Sequence, residues 1–134
     1  MYFWTANTSA SVCTIDVVPK GTAYNEDSLE QYGTDEEKGR VNFHLGEAKK
    51  TIPELPGEFD LIFNDSGHGS DTYAELIASW AKLRSGGILC GHDYCMAAVR
   101  EAVDRVSREW QIKFAYDKAY VGNGLYLFQK SNGE

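Results

Sequence analysis

A chain of 134 residues that is 43% hydrophobic and 25% charged has the make-up of one ordinary globular domain. Its net charge of −7 argues against nucleic acid or an anionic membrane as a partner. Three cysteines (Cys13, Cys90 and Cys95) without metal-type spacing, no long apolar span and no signal-peptide pattern point to the cytoplasm.

Taken in order, Ser11–Asp16 is a β-branched run ending on an acid and reads as a buried strand. Residues 17–39 are polar and punctuated by glycine, with at most a short helix around Glu26–Tyr32. The acids Glu26, Asp27, Glu30, Asp35, Glu36 and Glu37 concentrate there and read as a solvated face. Val41–Leu45 alternates like a strand, with His44 a structural residue between inward-facing Phe43 and Leu45. Gly46–Leu55 can hold a short helix that Pro53 limits, and Glu58–Asn64 is the next strand.

From Asp71 the apolar residues Tyr73, Leu76, Ile77, Trp80 and Leu83 follow the spacing of an amphipathic helix. Thr72 and Glu75 have capping-box spacing, and Gly86-Gly87 is placed to end that helix. Gly87–Gly91 is then a strand, with Cys90, like Cys13 earlier, a small buried hydrophobe. Ala98, Val99, Ala102, Val103, Val106 and Trp110 mark a second amphipathic helix. Ile112–Tyr116 and Leu125–Gln129 are two closing strands, Gly122–Gly124 turns the chain into the last, and the tail from Ser131 frays.

This order gives an α/β fold with a parallel β-α-β unit in its middle and an antiparallel hairpin at its end. Open sheets of this kind bind ligands beyond the carboxyl ends of their strands. Asp65 and His68 follow one such end, and His92 and Asp93 follow the next. Asp65, His92 and Asp93 can jointly hold a divalent cation, and the added imidazole shifts preference from Mg²⁺ toward Mn²⁺ or its neighbours. Helix capping is the other role open to the two acids. His68 can serve as general base or substrate contact, or simply bond its own loop. Tyr94 can wall the site or pack on the following helix. Asp16 can accept bonds from ribose hydroxyls or close a turn. No G-x-S-x-G, P-loop or H-E-x-x-H occurs, and Cys95 beside His92 lacks any mark of an oxyanion hole.

Val12–Asp16, Gly46–Leu55, Phe59–His68 and Leu83–Tyr94 together resemble class I S-adenosylmethionine-dependent methyltransferases. The similarity is to the small-molecule O-methyltransferase and cephalosporin-hydroxylase-like branch, and it runs from about Ser11 to Val106. It implies a Rossmann-like sheet in a single domain over residues 1–134, truncated at its first strand. It also implies S-adenosylmethionine as cofactor, with Asp16 at its ribose, Glu47, Ala48 and Lys49 along its adenine, and Asp65 beside it. Asp65, His92 and Asp93 would hold a divalent metal such as Mg²⁺ or Mn²⁺, and Asp65 and His68 would be catalytic. The substrate would be a small-molecule hydroxyl, on a sugar or a catechol-like ring.

Two positions depart from the family pattern. Met1–Ala10 contains no glycine, so the glycine-rich loop expected about 20 residues before Asp16 is missing. His92 stands where an acid is usual. Ribose bonds to a charged acceptor contribute roughly 1.5–3 kcal/mol, which predicts only millimolar affinity for S-adenosylhomocysteine. A truncated, inactive binding or assembly module is therefore an alternative, and a metal-dependent enzyme without the cofactor is a third. Without a first strand, either Val12–Ile15 closes onto Leu61–Phe63 or a second copy covers the gap. A homodimer touching through Tyr2, Phe3 and Trp4 is the expectation.

Overall fold

A computed structural model of the protein describes residues 9–19, 28–67, 69–117 and 124–133. The chain divides into two compact units, Met1–Thr51 and Ile52–Glu134. The described strands form a two-stranded and a four-stranded sheet.

In the first unit, β1 (Val12–Asp16) and β2 (Val41–Leu45) run parallel, with Asp16 opposite Leu45. Two short helices precede β2, α1 (Ser28–Tyr32) and α2 (Asp35–Gly39). The second was missed by a reading based on apolar periodicity, because it buries nothing. Its start is purely local: Thr34 Oγ1 accepts the Glu37 N–H, and Glu37 returns a carboxylate to the Thr34 N–H at 2.8 Å. Arg40 then donates to Glu36 at 2.7 Å, so the acidic stretch is partly neutralised on its own surface. Leu45 is exposed and Phe43 half-buried, so the two do not share an interior face around His44. Helix α3 (Ala48–Thr51) follows, and the chain tightens into a 3₁₀ turn at Ile52–Glu54, around Pro53.

In the second unit the sheet order is β3-β4-β6-β5. Strands β3 (Phe59–Asn64) and β4 (Leu83–Gly91) are parallel, joined by α4 (Thr72–Lys82). Helix α5 (Ala97–Trp110) follows, then the antiparallel strands β5 (Ala115–Asp117) and β6 (Leu125–Gln129). This is the α/β arrangement expected, parallel in the middle with an antiparallel end.

Two local expectations around α4 fail. The N-cap is Asp71, with no side-chain cap bond, so Thr72 and Glu75 do not form a capping box. Both are buried instead. The helix also stops at Lys82, before the glycines, and its last carbonyls are taken by a distant side chain. Lys130 Nζ donates to Trp80 O at 3.1 Å and Leu83 O at 2.7 Å. Gly86-Gly87 belongs to β4, where an irregularity separates the Phe59–Leu83 and Leu61–Ile88 pairings. Gly86 has φ 77°, a conformation that suits glycine.

The core gathers Leu76, Leu83 and Leu89 with Val99, Val103 and Val106 on one stripe of α5. Tyr126 and Phe128 alternate inward on β6, and Trp80 stacks on Trp110 at 4.4 Å between ring centroids. Leu61, Phe63, Leu125 and Leu127 are exposed, on alternate positions of β3 and β6. Cys13 and Cys90 are half-buried, less enclosed than expected, and burial still pushes both thiols up. No helix among the described residues is long and apolar enough to cross a membrane.

Candidate functional site

Parallel pairing of β3 with β4 sets Asn64 opposite Gly91, so Asp65 and His92 leave the sheet side by side. The His92 N–H donates to Asn64 O at 3.2 Å and extends the ladder one residue onto the rim. Asp93 then turns the chain with φ 60°, in the left-handed region. Such a conformation costs an ordinary L-residue about 1–2 kcal/mol, and aspartate is among the few that adopt it. Backbone bonds pin the turn on both sides. Tyr94 N–H donates to Gly124 O, and Met96 N–H to Asp93 O, each at 2.8 Å.

The result is a cluster in which Asp65, His92 and Asp93 bring one ligand atom each within 4.8 Å of the others. His92 Nδ1 lies 3.6 Å from Asp65 Oδ1 and 3.3 Å from Asp93 Oδ2. The Asp65 side chain is 56% exposed and that of Asp93 13%, so the group opens outward from a nearly buried base. Neither acid caps a helix, since the N-cap residues of α4 and α5 are Asp71 and Met96. Ligands bound at about 2.0–2.3 Å to one ion stand roughly 3–4.5 Å apart, and two carboxylates with an imidazole suit a divalent metal. The donor set fits such an ion.

Tyr94 packs on the next helix and does not wall the site. It is 8% exposed, and its hydroxyl donates to Asp104 on α5 at 2.9 Å. Burial, with help from that bond, pushes the phenol from its usual 10 up to about 12. Because the folded value is the raised one, this contribution is complete below pH 10 and lost as pH rises through 12. In alkaline unfolding titrations Tyr94→Phe is therefore expected to lose less stability than wild type across that window. Equal losses would contradict it.

Asp16 sits at the end of β1, where its Oδ1 accepts the Val18 N–H at 2.8 Å. The turn role open to it is thus realised. Gly46 N–H donates to Asp16 O at 2.8 Å, which brings Asp16 next to the segment holding Glu47, Ala48 and Lys49. Glu47 pairs with Lys50 at 3.0 Å and with Lys49 at 4.0 Å. His68 lies outside the described residues. Sequence reasoning missed Glu75, a buried acid of α4 beside the rim. Its signal was an acid at a position that the helix turns inward.

A family model described as a methyltransferase domain matches residues 4–94. The chain belongs to the methyltransferase-domain family. The match contains β1 through β4 and the whole Asp65–His92–Asp93 cluster. Solved structures, several of them described as methyltransferases, share the fold. Cofactor-bound Rv0187 from MTB is 20% identical with a TM-score of 0.72, over 96% of this chain and 65% of that one. The S-adenosylhomocysteine-bound methyltransferase PaMTH1 of Podospora anserina is 21% identical with a TM-score of 0.70, over 95% and 63%. The O-methyltransferase TomG of Streptomyces achromogenes, solved with S-adenosylmethionine, is 16% identical with a TM-score of 0.59, over 90% and 61%. The methyltransferase domain described here thus spans less than two thirds of each of these structures. Among curated proteins no sequence matches it.

Proposed function

We propose that this methyltransferase domain transfers a methyl group from S-adenosylmethionine to a hydroxyl of a small molecule, with a divalent metal at the rim. The observation that carries the reading is the convergence of Asp65, His92 and Asp93 beyond two parallel strands. These three residues would hold Mg²⁺ or Mn²⁺. Such an ion, when bound, orients a substrate oxygen and lowers the pKa of its hydroxyl.

The chain's own residues do the rest. Asp16 accepts the ribose hydroxyls on lone pairs not used by Val18, since a carboxylate offers about four acceptor sites. Glu47, Ala48 and Lys49 would lie along the adenine. His68 takes the hydroxyl proton as the oxygen forms its bond to the methyl carbon. S-adenosylmethionine, when bound, would supply the methyl group from its sulfonium, whose carbon–sulfur electron pair stays on sulfur to leave the thioether S-adenosylhomocysteine. Incubation with ¹³C-methyl S-adenosylmethionine, Mn²⁺ and a panel of catechols and sugars tests this. Methylated product with equal S-adenosylhomocysteine is expected, and no turnover of any hydroxyl compound would refute it.

The reading includes a homodimer. The exposed Leu61, Phe63, Leu125 and Leu127 support association, because contiguous apolar surface marks contact sites. The contact proposed through Tyr2, Phe3 and Trp4 lies outside the described residues. Light scattering at micromolar concentration should give twice the chain mass. A clean monomer that stays soluble without residues 1–4 would defeat the proposal.

A further inference from the structure

Helix α4 buries an acid on its inward face: Glu75 is 5% exposed. A carboxylate taken from water must be compensated by hydrogen bonds, so its partners show what the position is for. Both partners flank Asp65. The Ser66 hydroxyl donates to Glu75 Oε2, and Asn64 Nδ2 donates to the same oxygen at 3.5 Å. Asn64 Oδ1 in turn accepts the Ser66 N–H at 3.2 Å and lies 2.8 Å from Ser66 Oγ. The residues before and after Asp65 are thereby tied to each other and to the helix.

Capping does not explain Glu75, since the start of α4 has no side-chain cap bond and the carboxylate accepts from Ser66 and Asn64 instead. What the network holds still is the turn that presents Asp65, whose own side chain is more than half exposed. An exposed carboxylate on an unbraced turn loses affinity for an ion to the entropy of being oriented. We propose that Glu75 is a positioning residue that fixes the Asp65 turn for metal binding, an inference that rests on the metal reading above.

Residues that orient metal ligands typically change affinity by about 10–100-fold when removed. Replacing Glu75 alone leaves the Ser66 hydroxyl and the Asn64 amide without this acceptor, so some loss of stability accompanies the loss of the brace. With the full chain, Mn²⁺ affinity measured by electron paramagnetic resonance should therefore fall by about 10–100-fold in Glu75→Leu. Glu75→Gln, which keeps an acceptor for Ser66, should recover part of the loss. Amide hydrogen exchange at residues 65–67 should quicken in Glu75→Leu, a readout that needs no metal. Should Glu75→Leu fail to fold, Ser66→Ala removes the donor alone and carries the same expectation. A wild-type chain that binds no Mn²⁺ overturns the metal centre and this inference with it. Wild-type binding that these variants leave within twofold, with unchanged exchange, overturns this inference alone.

Discussion

Gly91→Ala is expected to destabilise the protein by about 2–3 kcal/mol, the upper range for forcing an extra methyl into a packed site. Gly91 pairs with Tyr126 across β4 and β6 and with Asn64 across β4 and β3. A Cβ there would stand 2.2 Å from the Tyr126 hydroxyl, 2.4 Å from its Cζ and 2.6 Å from Asn64 O. None of these can yield cheaply. Tyr126 is 1% exposed in the core, and Asn64 O is already held by the His92 N–H. The strain should displace the rim as well, because His92 is the next residue. Urea unfolding checks the size of the loss, and Gly91→Ala combined with Tyr126→Leu should cost less than the two changes summed. A single variant within 0.5 kcal/mol of wild type, on the scale of ordinary surface changes, would contradict the packing described.

Asp93→Asn separates the site from the fold. Asparagine tolerates the left-handed conformation at φ 60° nearly as well as aspartate, so the turn survives the change. The substitution removes a negative charge and one hard oxygen ligand from the cluster. Calorimetry with Mn²⁺ should show affinity lowered at least tenfold, about 1.4 kcal/mol, with a thermal midpoint close to wild type. Unaltered Mn²⁺ affinity would remove Asp93 from the ligand set.

The elements legible in the sequence were those whose apolar residues alternate or recur at helical spacing. Strand β1, strand β2, the β3–α4–β4 unit, helix α5 and the last strand came this way, whereas the strand expected at Ile112–Tyr116 is only Ala115–Asp117, exposed throughout. The rim was legible too, because two strands ending in acid and histidine in a parallel unit must deliver them to one edge. Helix α2 carries its signal in a capping box and buries nothing, so apolar periodicity passed over it.

The errors around α4 have one cause. Thr72, Glu75 and Ser79 are buried while Ile77 is exposed, so the inward stripe is set by small and polar residues beside Leu76. A reading that weighs only bulky hydrophobes rotates the helix and assigns Glu75 to a local cap. Its partners are 9 and 11 residues away. Lys130 replaces the glycine cap by a contact 47 residues distant from Leu83. Such long-range bonds leave no trace in local spacing.

The proposed metal-binding rim of Asp65, His92 and Asp93 is open to a direct test. Crystals soaked in millimolar Mn²⁺ and measured for anomalous scattering test it most directly. One anomalous peak within about 2.0–2.3 Å of a ligand atom from at least two of the three side chains is expected. No bound ion at that concentration, with the three side chains turned apart, would contradict it.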